Sequence, residues 1–184
     1  MIIATRKSGL LAVLLACVIT ACTTTPLESD NPVGKNLTGD WLLNATASDL
    51  LPEGHEFGGV PERKRRLPSL SSSRRAMSAG SGLAFVAQDF QVLRAERMFI
   101  ELNDDSMGLH YYPGVYRDVS WGERQRGLWE VRAGWLDGDL LIESKANDLF
   151  VVERFSLSGN QLSVTVAIEA DGETREYVRV YGRR

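Results

Sequence analysis

At 184 residues the chain has the length of one domain, and 43% hydrophobic with 24% charged residues is the composition of a globular protein. Its net charge of −3 gives no general attraction to nucleic acid or to an anionic surface. Both cysteines, Cys17 and Cys22, lie near the start, which excludes a disulfide, a cysteine metal site and a cysteine nucleophile from everything downstream.

The chain begins with Arg6 and Lys7, followed by the apolar run GLLAVLLACVITA from Gly9 to Ala21. An apolar run of about 7–15 residues behind a positive start is the core of a secretory signal, whereas a membrane-spanning helix needs about 20. The run ends in Ile19-Thr20-Ala21-Cys22, which resembles the lipobox of bacterial lipoproteins: an aliphatic residue, two small residues, then the modified cysteine. The resemblance implies that residues 1–21 are a signal peptide and that Cys22 carries a diacylglycerol thioether and an acylated amine. Leu14 to Cys17 fits the same pattern but leaves a shorter apolar core, so Cys22 is preferred. The plainer readings are an ordinary cleaved signal or a buried helix. Thr23, rather than Asp, after the cysteine resembles the enterobacterial pattern for the outer membrane, which implies a lipid-anchored, periplasm-facing protein. Losing Arg6 and Lys7 makes the mature chain more acidic. Residues 22–36 are polar and punctuated by Pro and Gly, and read as a flexible lipidated tether to a domain at 37–184.

A first strand is expected at Gly39–Asn44, with Trp41 and Leu43 on one side. A long insertion follows. Its segment 61–76, including Arg63, Lys64, Arg65 and Arg66, is basic and rich in Pro and Ser, and reads as a mobile loop. It is either a contact for an anionic surface or a solvated loop. Leu83, Val86, Phe90 and Leu93 recur at helical spacing and predict a helix over 83–95 that covers an end or edge of a sheet.

From Met98 onward the pattern has period 2. Met98, Ile100 and Leu102 alternate, as do Met107, Leu109 and Tyr111; a weaker strand covers 115–120. With Asp137-Gly138 as a type I′ turn, Trp135 faces Leu140 and Ala133 faces Ile142. With Gly159-Asn160 as a turn, Leu157 meets Leu162, Phe155 meets Val164 and Val151 meets Ile168. The last hairpin has two registers. A two-residue turn at Asp171-Gly172 turns Arg175, Tyr177, Arg179 and Tyr181 to the apolar face, while a three-residue loop turns Val178 and Val180 inward. Turn chemistry favours the first and burial the second. The fold class is therefore mainly β: an antiparallel up-and-down meander of about 8–9 strands, as a barrel or strongly curved sheet, with one helix inserted after the first strand.

Gly39-Asp40-Trp41 resembles the G-x-W motif of lipocalins and their calycin relatives. The resemblance implies an eight-stranded barrel in which the tryptophan packs on an arginine near the end of the last strand, here Arg179 or Arg183, with Arg179 inward in the first register. The absence of a helix after the last strand departs from lipocalins, and the insertion after the first strand is more similar to fatty-acid-binding proteins. No ligand carries over.

Candidate site residues are few. Glu153 shares the inward face with Val151, Phe155 and Leu157, where a carboxylate needs a partner; Arg179 or Arg175 is the expected one. Glu153, Tyr177, Arg179 and Trp129 are thus the candidate ligand-binding set, as a polar anchor and aromatic wall, against the plainer reading of an internal ion pair. His110 is expected at the solvent and His55 in a Gly/Pro loop, which makes no metal site. No nucleophile elbow or base–nucleophile pairing is present, so no catalytic residue and no cofactor is expected. The reading that follows is an outer-membrane lipoprotein with a non-catalytic domain for a lipid or other apolar ligand. Its partners are the membrane, through Cys22, and that ligand. The alternative is an envelope protein with a filled barrel that binds another protein on its outside; an envelope enzyme is the third.

Overall fold

The computed structural model describes residues 25–51, 86, 89–170 and 172–184. The lipobox with Cys22, the basic residues Arg63, Lys64, Arg65 and Arg66, His55, and residues 83–85, 87 and 88 of the expected helix over 83–95 lie outside them.

Ten strands follow one another: β1 (Gly39–Leu43), β2 (Arg97–Leu102), β3 (Ser106–Tyr112), β4 (Val115–Ser120), β5 (Gly122–Arg126), β6 (Trp129–Leu136), β7 (Asp139–Ala146), β8 (Leu149–Ser158), β9 (Gln161–Ala170) and β10 (Glu173–Arg183). All form one antiparallel sheet in the order β4-β3-β2-β1-β10-β9-β8-β7-β6-β5. Pairing of β1 with β10 curls the meander into a nearly closed barrel. Its two free edges, β4 and β5, are consecutive in the chain and separated only by Trp121. No ladder joins them. Arg124 on β5 bridges this seam by a 3.1 Å ion pair to Asp118 and a hydrogen bond to Ser120, both on β4. The strand beyond the expected count is β5. Its sequence GERQR is solvent-exposed along nearly its whole length and carries no apolar alternation to reveal it.

The expected hairpin registers hold. Trp135 lies opposite Leu140 and Ala133 opposite Ile142. Leu157, Phe155 and Val151 lie opposite Leu162, Val164 and Ile168. In the last hairpin Glu173 pairs with Ala170, so Arg175, Tyr177, Arg179 and Tyr181 face Ile168, Val166, Val164 and Leu162. This is the register of the two-residue turn. The two tyrosines are buried, and Tyr181 has a polar destination: its hydroxyl donates towards the carbonyls of Val92 (2.9 Å) and Ala95 (3.1 Å). Burial holds the Tyr181 phenol up to about 12.

Those carbonyls belong to the insertion after β1, which closes one end of the barrel. Val86, Phe90 and Leu93, three of the four residues at helical spacing, are buried in the core. Among the described residues the segment makes two hydrogen bonds of α-helical spacing, Phe90 N to Val86 O at 2.8 Å and Ala95 N to Gln91 O at 2.9 Å, around a short 3₁₀ turn over Gln91–Leu93.

The opposite end is built on Trp41. Its ring is fully buried, its Nε1 donates to Leu37 O at 2.9 Å, and the Arg183 guanidinium stacks 4.4 Å from the ring centroid. Arg183 also donates to the carbonyls of Thr38 and Asn36. The arginine under the tryptophan is thus Arg183, not Arg179. Arg183 is the cross-strand neighbour of Trp41, whereas Arg179 sits four residues back along β10 and donates to Asp49 O at the other end of the barrel. Gly39 makes room for this stack: a Cβ there would lie 2.8 Å from Arg183 Nη1.

The described part of the expected tether is docked rather than free. Glu28 forms an isolated antiparallel bridge with Trp135, using the backbone of β6 beyond the end of β5. Arg132 holds Thr25 O at 2.9 Å and Lys35 reaches Leu157 O at 3.2 Å. Gly134 permits the approach, since a Cβ there would be 2.7 Å from Glu28 O and from Leu27 Cβ.

Candidate functional site

Inside the barrel, the alternation of β8 carries Glu153 to the interior, where it is fully buried. Its partner comes from β4. Arg117 Nη1 lies 2.8 Å from Glu153 Oε1 and 2.6 Å from Oε2. The expected partners take no part in this: Arg179 is bonded to Asp49 O, and Arg175 lies at the exposed start of β10 beside Glu173. Arg117 occupies the inward position between Val115 and Val119, a place the weak pattern of β4 did not announce. Burial is the largest influence and works against its charge, but the Glu153 carboxylate and the Tyr111 phenol together outweigh it and leave its pKa raised.

Three further groups share this interior. Tyr111 on β3 is buried; desolvation first, and then the Glu153 charge, push its phenol far above the ordinary value. Its hydroxyl lies beside the Arg117 guanidinium without forming a well-shaped hydrogen bond. Ser144 on β7 takes an inward position in line with Leu140 and Ile142, and its hydroxyl has no hydrogen-bond partner. Arg117 Nε is likewise unpaired. Native interiors contain few such orphans, and each asks for an explanation.

The space beside them is a cavity of about 430 Å³. Phe90 and Trp129 form its aromatic wall, in edge-to-face contact with centroids 5.1 Å apart. Val131, Ser144 and Arg117 line its inner side; Arg126 and Leu128, around the β5–β6 turn, line its mouth. Leu128 is 71% exposed. Trp129 Nε1 donates to Asp89 at 2.8 Å, which ties the insertion to the rim. Arg126 is the cross-strand partner of Trp129 and makes no ion pair among the described residues.

Of the residues singled out from sequence, Trp129 lines the cavity, and Glu153 stands behind Arg117 without reaching it. Tyr177 and Arg179 are buried on β10 and are not among its lining. Arg117, Ser144, Arg126, Phe90 and Asp89 went unnoticed as site residues. The signal for Ser144 was present, as a polar residue at an inward position of β7. His110 lies on the outer face, 3.7 Å from Glu101 and stacked near Tyr116. Among the described residues no group of three His, Asp or Glu side chains is placed to hold a metal ion.

A single meander curled on itself, with its insertion after the first strand folded over one end and a cavity under that end, defines a nearly closed up-and-down β-barrel. No family model and no curated protein matches the sequence. Among solved structures, the REP1-NXSQ fatty acid transporter superposes with a TM-score of 0.50 at 11% identity, over 80% of this chain and 96% of that one. Zebrafish ileal bile acid-binding protein complexed with cholic acid gives 0.44 at 16%, over 80% and 98%. The fluorescent protein UnaG gives 0.45 at 14%, over 80% and 97%. At these identities the likeness is one of fold.

Proposed function

We propose that the protein is a non-catalytic binding barrel for an apolar ligand, facing the periplasm and held at a bacterial outer membrane by acyl chains on Cys22. The binding reading rests on the cavity. Its volume of about 430 Å³ falls within the roughly 300–1,000 Å³ of small-molecule pockets. Its walls combine aromatic and aliphatic surface with a few polar atoms, the usual make-up of such a site. The fold it shares with a fatty acid transporter supports the same reading. Native mass spectrometry of protein released gently from membranes tests it: a retained small apolar molecule is the expected result. An empty protein that also takes up no added apolar probe overturns it.

The interaction-protein reading draws on the other half of the interior. Around Trp41, Met98, Leu109 and Tyr181 the barrel is fully packed. On that reading the cavity is a defect of packing and no ligand enters.

The lipobox-like Ile19-Thr20-Ala21-Cys22 supports the anchor. Three residue steps separate Cys22 from Thr25 and reach at most about 10 Å when fully extended, so an acylated Cys22 would keep the wall at β6 close to the bilayer. Replacing Cys22 with Ser moves the protein out of the outer-membrane fraction and removes metabolic acyl labelling. A wild-type protein that takes no label overturns the anchor and leaves the barrel reading intact.

A further inference from the structure

Large apolar side chains are not spread evenly over the outside of the barrel. Among the described residues, four of the seven most exposed ones, Leu42, Tyr112, Val115 and Tyr116, lie on β1, β3 and β4. The register joins this wall into two cross-strand rows. Leu42 lies opposite Arg97, and Arg97 opposite Tyr112. In the next row Asp40 lies opposite Phe99, Phe99 opposite His110, and His110 opposite Tyr116. Neighbours within the rows touch: the Arg97 guanidinium stacks 4.5 Å from the Tyr112 ring centroid, and the His110 and Tyr116 ring centroids stand 4.4 Å apart. Tyr116 lies down over Gly108, where a Cβ would meet its Oη at 2.9 Å, so the ring spreads along the sheet. Arg97 and Arg184 both face Asp40, at 2.7 and 3.9 Å, which sets two guanidinium groups against one carboxylate. The carboxylates of Glu101 and Asp118 belong to the row beyond, on either side of Gly108.

We propose that this outer wall of β1–β4 rests on the lipid surface that holds Cys22, with Leu42, Phe99, Tyr112 and Tyr116 at the head-group boundary and Arg97 and Arg184 towards the phosphates. The proposal rests on the acyl-anchor reading above and adds the face that the barrel turns to the bilayer. Two observations select lipid as the occupant. The first is where the chain leads. Thr25 is held by Arg132 on the outside of β6, three residue steps from Cys22. From β6 the wall runs through β5 and across the seam, which Arg124 and Asp118 bridge, to β4 and β3. Strands stand about 4.8 Å apart, so β4 lies about 10 Å round the wall from β6, as far as the extended chain from Thr25 to Cys22 reaches. The second is the make-up of the rows. Tyrosine and arginine join an apolar body to a polar tip, which suits the boundary between acyl chains and water. Their excess of basic charge complements anionic head groups, and Glu101 and Asp118 fall at the margin rather than within the rows.

The test uses the full chain, matured in cells and placed in nanodiscs of phosphatidylethanolamine with a minor share of phosphatidylglycerol. A nitroxide is attached at one introduced thiol at a time. Tyr112→Cys and Tyr116→Cys report on the proposed wall, and either decides if the other fails to fold. Glu169→Cys, exposed on β9 and five strands away from β4 in the sheet, reports on the far side. Contact with lipid raises collision of the nitroxide with oxygen and lowers collision with a nickel chelate, whereas packing against protein lowers both. The oxygen-to-nickel ratio is expected to be about threefold or more higher at the Tyr112 and Tyr116 positions than at the Glu169 position. Equal ratios, or a higher one at the Glu169 position, overturn the docking and leave the anchor standing. The wild-type protein supplies the remaining arm. Its Cys17 leaves with the signal and its Cys22 is consumed by acylation, so it is expected to take no thiol label. A labelled wild type overturns anchor and docking together.

Discussion

The Glu153–Arg117 pair shows what one residue costs inside this barrel. Both side chains are removed from water, at 0% and 5% exposure, so each depends on the other for compensation. Glu153→Leu leaves a buried guanidinium without its counter-charge and is expected to destabilise the protein by about 3–5 kcal/mol, read from the urea midpoint. Glu153→Leu with Arg117→Leu replaces the pair by packing atoms and is expected to recover most of that loss. A double variant as unstable as the single one shows that the site needs polarity for another reason. Tyr181 gives a pH signature. Its folded pKa near 12 lies above the ordinary 10.0, so the neutral phenol is the form the fold favours. The stability it contributes is complete below about pH 10 and is lost as pH rises towards 12. Denaturant midpoints measured between pH 8 and 11.5 are expected to fall above pH 10, and Tyr181→Phe to flatten part of that fall. Glu153 was readable as inward because β8 alternates without a break. Its partner was not, because the contact joins β8 to β4 across the barrel, and no local pattern carries a distance between strands so far apart in sequence.

At the scale of elements, turn chemistry and alternation decide most of the architecture, and their limits mark what was missed. Asp137 and Gly138 both adopt positive φ, and the register they impose brings apolar residues opposite one another along β6 and β7. The strand β5 has no such signal, since its edge position leaves it little to bury. Turn chemistry favours the observed register of the last hairpin only slightly, because an apolar count treats tyrosine and arginine as misfits. Tyr181 belongs inside once the insertion supplies carbonyls for its hydroxyl, and the insertion is remote in sequence. The segment before β1 had the composition of a linker, and only the bare backbone at Gly134 allows it to lie down on β6. Gly134→Val is therefore expected to lift residues 25–35 off the barrel, at about 1–2 kcal/mol. Hydrogen exchange is expected to rise at Glu28 and Trp135, whose amides bridge the two segments, with the other strands unchanged. Unaltered protection of those two amides would show that the docking does not depend on this close approach.

For the whole molecule, the deciding question is whether the barrel is a container or a solid. One part of the interior is solid: Trp41, Met98, Leu109 and Tyr181 are fully buried within one continuous core. The other part, beside the seam, keeps its cavity where β4 and β5 fail to pair, so the volume and the opening have a common origin in topology. A side chain enlarged into a packed core forces strain of about 1–3 kcal/mol, whereas one enlarged into a cavity meets no neighbours. Val131 points into this space from β6 and is 5% exposed. Val131→Phe is expected to leave the melting temperature within about 2 °C of wild type, because the ring enters existing volume beside Phe90 and Trp129. The same ring occupies the place of the apolar ligand, so uptake of the neutral probe N-phenyl-1-naphthylamine is expected to fall about tenfold or more. A container must show both results together. A solid barrel shows the opposite pair: a drop in stability of the overpacking size, and no uptake to lose in either protein. Stability and binding, measured on this one substitution, therefore separate a binding barrel from a filled one.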